Sequence, residues 1–174
     1  GFNLDYVRAG GVCRADLCQQ DYLQRTGHSL SVDLLARQVN SAAYERLLQW
    51  NRRAVTLMIE EVAGAIRVHR PEVPISIDTH LEVEELQLQG VDAAGWLNNN
   101  HIDLIFQMQY LTVSDEDIEV ISDIRAQLSN PHRLMLLVGN FSYSTMRKAT
   151  RKVEILPAAT VADFIARGRA FSRR

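Results

Sequence analysis

Short apolar runs alternate along the chain with longer stretches of helical period. The runs are Phe2 to Val7, Val73-Pro74-Ile75-Ser76-Ile77, Ile102-Asp103-Leu104-Ile105-Phe106 and Leu134-Met135-Leu136-Leu137-Val138. They are near-continuously hydrophobic rather than alternating, the pattern of strands covered on both faces. Between the first two, Leu48, Val55, Met58, Ile59, Val62 and Ile66 recur at three-, four- and seven-residue steps. That spacing predicts one long helix with a core-facing stripe, ended by Pro71. Residues 92–100, carrying Trp96 and Leu97, predict a short helix. Another runs from a cap at Ser114 or Asp115 through Leu128 to the stop at Asn130-Pro131, and Thr160 to Arg174 predicts a last one. The second, third and fourth runs repeat at about thirty residues, the length of one βαβ unit, so the sheet is expected to be parallel.

The first interval is longer. Its excess, Arg8 to roughly Asn40, is too polar and irregular for a single helix and reads as an elaborated loop after the first strand. Long βα loops gather at the C-terminal end of a barrel, where sites are built. The expected fold is therefore α/β: a partial (β/α)8 TIM barrel of four parallel strands with their helices, one domain over residues 1–174. Four strands cannot close a ring of eight, so upstream sequence or another polypeptide is expected to complete it. The opening Gly1-Phe2-Asn3, without leader, cap or polar arm, carries the same expectation.

Composition narrows the function. With 47% hydrophobic residues the chain can bury a real core, and 19 basic against 21 acidic residues leave a formal charge of -2. No global field gathers phosphate backbones or anionic lipid, so nucleic acid is not an expected partner. The basic tail, Arg147 to Arg174, reads as a solvated helix face. No apolar run is long enough for a membrane span. Cys13 and Cys18 fit a loop disulfide in an oxidising compartment and free thiols in a reducing one. They are too few for a zinc site without outside ligands, and no phosphate-cradling loop, nucleophile elbow or H-E-x-x-H is present, so no cofactor or metal is expected.

In a parallel barrel, side chains at the C-terminal strand ends share one mouth. The first strand would deliver Asp5, Tyr6 and Arg8. The second would deliver Asp78 and His80, with Glu82 beyond; the third Gln107, Gln109 and Tyr110; the fourth Asn140, Ser142 and Tyr143. Carboxylates, amides and tyrosines are the mixture that binds sugar hydroxyls and ring faces. Glycosidases need two carboxyl groups, about 5–5.5 Å apart for retention or about 6.5–9.5 Å for inversion. Asp5 and Asp78 are the best pair visible in the sequence. Each has a structural alternative: an Asp5–Arg8 ion pair, loop capping by Asp78 and His80, mutual satisfaction of Gln107 and Tyr110.

Phe2-Asn3-Leu4-Asp5-Tyr6-Val7-Arg8 resembles the h-x-D-Y-[IV]-R strand of the bacterial glycosyl-hydrolase-like family 10. Cys13 to Gly27 resembles its cysteine-bearing loop, Trp50-Asn51-Arg52-Arg53 its W-x-x-R helix, and Val73-Pro74-Ile75-Ser76 its next strand. Trp96-Leu97, Ile102-Asp103-Leu104-Ile105 and Met108-Gln109-Tyr110 follow in family order, with Leu137-Val138-Gly139 after them. Gln107 stands where the family has proline, and Asn100-His101 replaces a glycine turn. The resemblance implies strands four to seven of a TIM barrel from secreted or lipoprotein glycoside hydrolases, hence an extracytoplasmic place. It makes Asp5, Tyr6 and Arg8 leading mouth residues, with Met108 and Tyr110 beside them. The expected function is hydrolysis of a bacterial or environmental polysaccharide, with Asp5 and Asp78 catalytic and Tyr6, Arg8, His80, Gln107, Met108, Tyr110 and Asn140 binding substrate. A non-catalytic carbohydrate-binding or scaffolding barrel is the second reading, and self-association through open sheet edges a third.

Overall fold

In the computed structural model, residues 1–5, 11–80, 88–109, 115–138, 141–143 and 155–158, with Ala166 and Arg169, are described. Four strands, β1 (Phe2–Leu4), β2 (Ile75–Thr79), β3 (Leu104–Gln109) and β4 (Leu134–Val138), form one sheet in chain order with every neighbouring pair parallel. The four apolar runs are thus the four strands, shifted at their ends by up to three residues. A two-stranded antiparallel ribbon, β5 (Phe141–Tyr143) with β6 (Ile155–Ala158), was not expected from the sequence. Pro157 argues against a strand there, and the pairing accommodates it with an irregular register.

Residues 11–40 are not the irregular loop the sequence suggested. They form α1 (Asp16–Thr26), closed by Gly27 at φ 72°, and α2 (Leu30–Ala36). Polar composition hid both, because only Tyr22 of α1 and Leu30 and Asp33 of α2 are buried. Cys13 and Cys18 are bonded to each other at the entrance to α1. Next comes α3 (Ser41–His69), whose first turn is capped by the Asn40 side chain accepting from the amides of Ala42 and Ala43. After β2 come α4 (Ala93–Asn98) and, between β3 and β4, α5 (Asp115–Ala126). Of the helix expected over residues 160–174, the described Ala166 and Arg169 are helical.

At 29 residues, α3 is about 43 Å long, against about 17 Å for the five residues of β2. Its two halves consequently serve two cores. Val55, Ile59 and Ala63 pack on the sheet with Ile75, Ile77, Ile105 and Leu134, together with Trp96, Leu97 and Ile121. Leu47 instead joins Tyr22 and Leu30, with Trp50 packed alongside. Leu48, Val55 and Ile59 lie on the buried side as expected, but Met58 and Val62 are exposed, because the stripe follows a strict four-residue step from Leu47 onward.

Two turns hold this arrangement. The Asn100-His101 pair does what glycine would do: Asn100 sits at φ 61°, and the amides of Asn100 and His101 donate to Leu97 and Trp96 carbonyls, closing α4 in a Schellman motif. Gly90, at φ 93°, runs so close to α3 that a Cβ would lie 2.6 Å from the Asn51 carbonyl oxygen and 2.7 Å from Val55 Cγ2. Gly90→Ala should therefore destabilise by about 2 kcal/mol or more, combining left-handed strain with overpacking. Urea denaturation measures this, and a change below about 0.5 kcal/mol would mean the segment moves aside at no cost.

Candidate functional site

Register decides which side chains share a face. The pairs Leu4↔Ile77, Asp78↔Phe106 and Met108↔Leu137 divide the sheet into a side packed by α3, α4 and α5 and an opposite side. Asn3, Ser76, Asp78, Leu104, Phe106, Met108, Met135 and Leu137 belong to the opposite side. Asp5 follows β1 by one residue, and His80 follows β2 by one. Continuing each register by one step sets Asp5 beside Asp78 and His80 beside Met108. By register Asp78 and Met108 lie toward the C-terminal end of that face, and Asp5 and His80 are the residues that directly follow their strands.

Gln107 does not join them. Paired with Thr79 and Leu136, it turns to the helix-packed side and is wholly buried. Tyr6, Arg8, Tyr110 and Asn140 lie outside the described residues, as does Glu82; Ser142 and Tyr143 belong to β5.

Around Asp78 a short polar chain ties β1 to β2. Asn3 Nδ2 donates to Asp78 Oδ2 at 2.9 Å, and Ser76 Oγ donates to Asn3 Oδ1 at 2.7 Å. The second carboxyl oxygen, Asp78 Oδ1, is enclosed and has no hydrogen-bond partner among the described residues. A buried acceptor without a donor costs about 1–3 kcal/mol, so this oxygen is a place where a donor would be welcomed. Asn3 and Ser76 were missed in the sequence, although the two-residue period from Asp5 and Asp78 points straight to them.

The other end of the sheet carries structural ionic contacts. Asp103 accepts from the Ile75 amide at 2.8 Å and pairs with Arg67 at 3.2 Å, fixing the start of β2 against β3 and the end of α3. This aspartate reads as a strand anchor, as charged groups at the N-terminal end of parallel strands usually are.

Beyond the sheet, two aspartates join α1, α2 and α3. Asp33 accepts from Tyr22 at 2.6 Å and from Arg46 Nε and Nη2 at 2.9 and 2.8 Å. Those arginine bonds hold its carboxyl below the ordinary range, while burial and the carboxylate push the Tyr22 hydroxyl up to about 12. Asp21 accepts from Trp50 Nε1 and from Arg25, both at 2.7 Å, and the bond from Trp50 is the main reason its carboxyl is also held low. The W-x-x-R pattern thereby acquires a packing role, with the Trp50 ring edge-on to Tyr22 at 5.3 Å.

Among the described residues no group of three histidine, cysteine or acidic side chains could hold a metal ion, and no helix is long and apolar enough to cross a membrane. Comparison of the chain with protein-family models, with curated proteins and with solved structures gives no match.

Proposed function

We propose that the sheet is half of a (β/α)8 barrel and that the barrel is a glycoside hydrolase resembling the bacterial glycosyl-hydrolase-like family 10, acting on a polysaccharide. Support for the barrel comes from strand order. Right-handed crossovers between consecutive, adjacent strands put every helix on the same side, and α3, α4 and α5 all pack on one side. The opposite side then corresponds to a barrel interior. Its β3–β4 half is apolar, with Met135 43% exposed. Such a surface calls for cover by the rest of a ring or by a second copy of the chain.

The observation carrying the functional reading is Asp78 near the C-terminal end of β2, held by Asn3 of β1 and with one carboxyl oxygen lacking a donor among the described residues; one further step of the β1–β2 register would set Asp5 beside it. Asp5 serves as nucleophile or general base. Asp78, oriented by Asn3, serves as proton donor to the leaving oxygen. The non-catalytic reading keeps the same mouth and uses both carboxylates only to bind; the commitment of Asp78 Oδ2 to Asn3 favours it to that extent.

Hydrolysis of a bacterial polysaccharide by the full-length protein separates the two. Asp5→Asn should abolish turnover and Asp78→Asn should lower it by about 10²–10⁴-fold, with glycan binding retained in both. Unchanged turnover in Asp5→Asn rejects the nucleophile, and glycan binding without any turnover in the unmodified protein establishes the binding barrel.

A further inference from the structure

A crossover helix runs back along its strands, so the N-terminal half of α3 lies at their C-terminal end and, at its length, extends beyond them. There it meets α1, and an open cleft of about 580 Å³ lies between them, lined by Arg25, Thr26, Arg46, Gln49, Trp50 and Arg53. The lining holds three guanidinium groups and no carboxylate. Behind it, Asp33 accepts from Tyr22 and Arg46, and Asp21 accepts from Trp50 and Arg25 and also feels the charge of Arg53, so three guanidinium groups face two carboxylates and positive charge remains in excess. Glu45 is bonded to Gln49 one turn along α3. Arg53 is exposed and makes no hydrogen bond or ion pair among the described residues, and Arg25 uses only its Nε, leaving its terminal nitrogens open to the cleft.

Guanidinium forks match carboxylates in shape and charge, and an indole held by its own N–H bond is a fixed plate for a pyranose face. The Gln49 amide adds a group that can meet hydroxyls. We infer that this cleft binds a uronate, a sugar carrying a carboxylate, with Arg53 and Arg25 gripping the carboxylate and Trp50 seating the ring. The site stands apart from the proposed Asp5–Asp78 mouth: both lie toward the C-terminal ends of the strands, but α3 packs on the other face of the sheet. It would let the protein hold an acidic polysaccharide at a second point. The carbohydrate reading enters only in the choice of a sugar as the carrier of the anion.

Isothermal titration or chemical-shift mapping with D-glucuronate, D-glucose, acetate and inorganic phosphate tests it on the whole chain. Glucuronate should bind more tightly than acetate, phosphate or glucose, with shifts at the Trp50 indole, and should weaken with added salt. Arg53→Ala should weaken glucuronate at least tenfold without changing the thermal midpoint, and Arg53→Lys should fall between, because it keeps the charge and loses the fork. Asp5→Asn should leave this affinity unchanged, so failure of the mouth and failure of the cleft are read separately. Acetate or phosphate binding as tightly as glucuronate, glucose binding equally, or an Arg53→Ala variant of undiminished affinity would each overturn the inference.

Discussion

Asp33→Ala is expected to cost about 3 kcal/mol of folding free energy, the lower end of what removing one partner from a buried charged cluster costs. Asp33 is 3% exposed, and its loss leaves the fully enclosed Tyr22 hydroxyl without its acceptor. Arg46, whose side chain is 25% exposed, regains water, which keeps the figure low. The pH dependence has a definite sign. Asp33 titrates below its unfolded value of about 3.9, so its contribution is complete above that pH and disappears as pH falls through the lower folded value. Tyr22 behaves oppositely: with its hydroxyl pushed up to about 12, its contribution is complete below the unfolded value of about 10 and is lost as pH rises toward 12. Urea denaturation across pH checks both limbs. Asp33→Ala should reduce the acid slope, leaving the part due to Asp21, and should reduce the alkaline slope only in part, because burial of Tyr22 is the larger cause there; an acid slope identical to that of the unmodified protein would show that Asp33 does not contribute to it.

Trp96→Ala is expected to destabilise by about 3–5 kcal/mol. Trp96 is 1% exposed, sits in the core between α3 and the sheet, and donates through Nε1 to Thr56 Oγ1 at 2.8 Å. Its backbone carbonyl also receives the amide that closes α4. Truncation opens a cavity under that short helix and strips Thr56 of its donor. Trp96→Phe fills most of the volume and loses only the hydrogen bond, so it should cost about 1–2 kcal/mol. Denaturant unfolding of the two variants separates packing from bonding; equal losses would show that the Thr56 bond carries the effect.

Much of this architecture was legible because it rests on hydrophobic length and spacing. Runs such as Leu134 to Val138 leave no choice but a strand buried on at least one face, and their separation by helical period makes them parallel. The fate of Gln107 was not legible, because which way a strand residue points depends on register, and a shift of one position exchanges the faces. Asp78 and Met108 share a face by register, whereas Gln107 lies one residue out of step with Phe106 and Met108. The helices α1 and α2 escaped notice for a different reason. Their stability comes from Asp33, Arg46, Tyr22, Asp21 and Trp50 meeting across 11 to 29 residues of sequence, and polar contacts of that range leave no period to read. Asn100 shows the reverse case. Its substitution for glycine looked like a departure, yet asparagine is the side chain that tolerates the same backbone shape.

The long connection from β1 to β2 bears on the order in which these four strands assemble. Residues paired between β1 and β2 are separated by 73 positions, as for Asn3 and Ser76, against 28 for the junction of β2 with β3 at Ile75 and Asp103. Closing the wider loop costs roughly 0.8 kcal/mol more in chain entropy, and only three residues are paired to repay it. The β2–β3–β4 unit can therefore form first, with β1 docking last and peeling away first on heating. Because Asp5 travels with β1, heat would part it from Asp78 while most of the sheet is still intact, so the carboxyl pair proposed above would be lost before the fold itself.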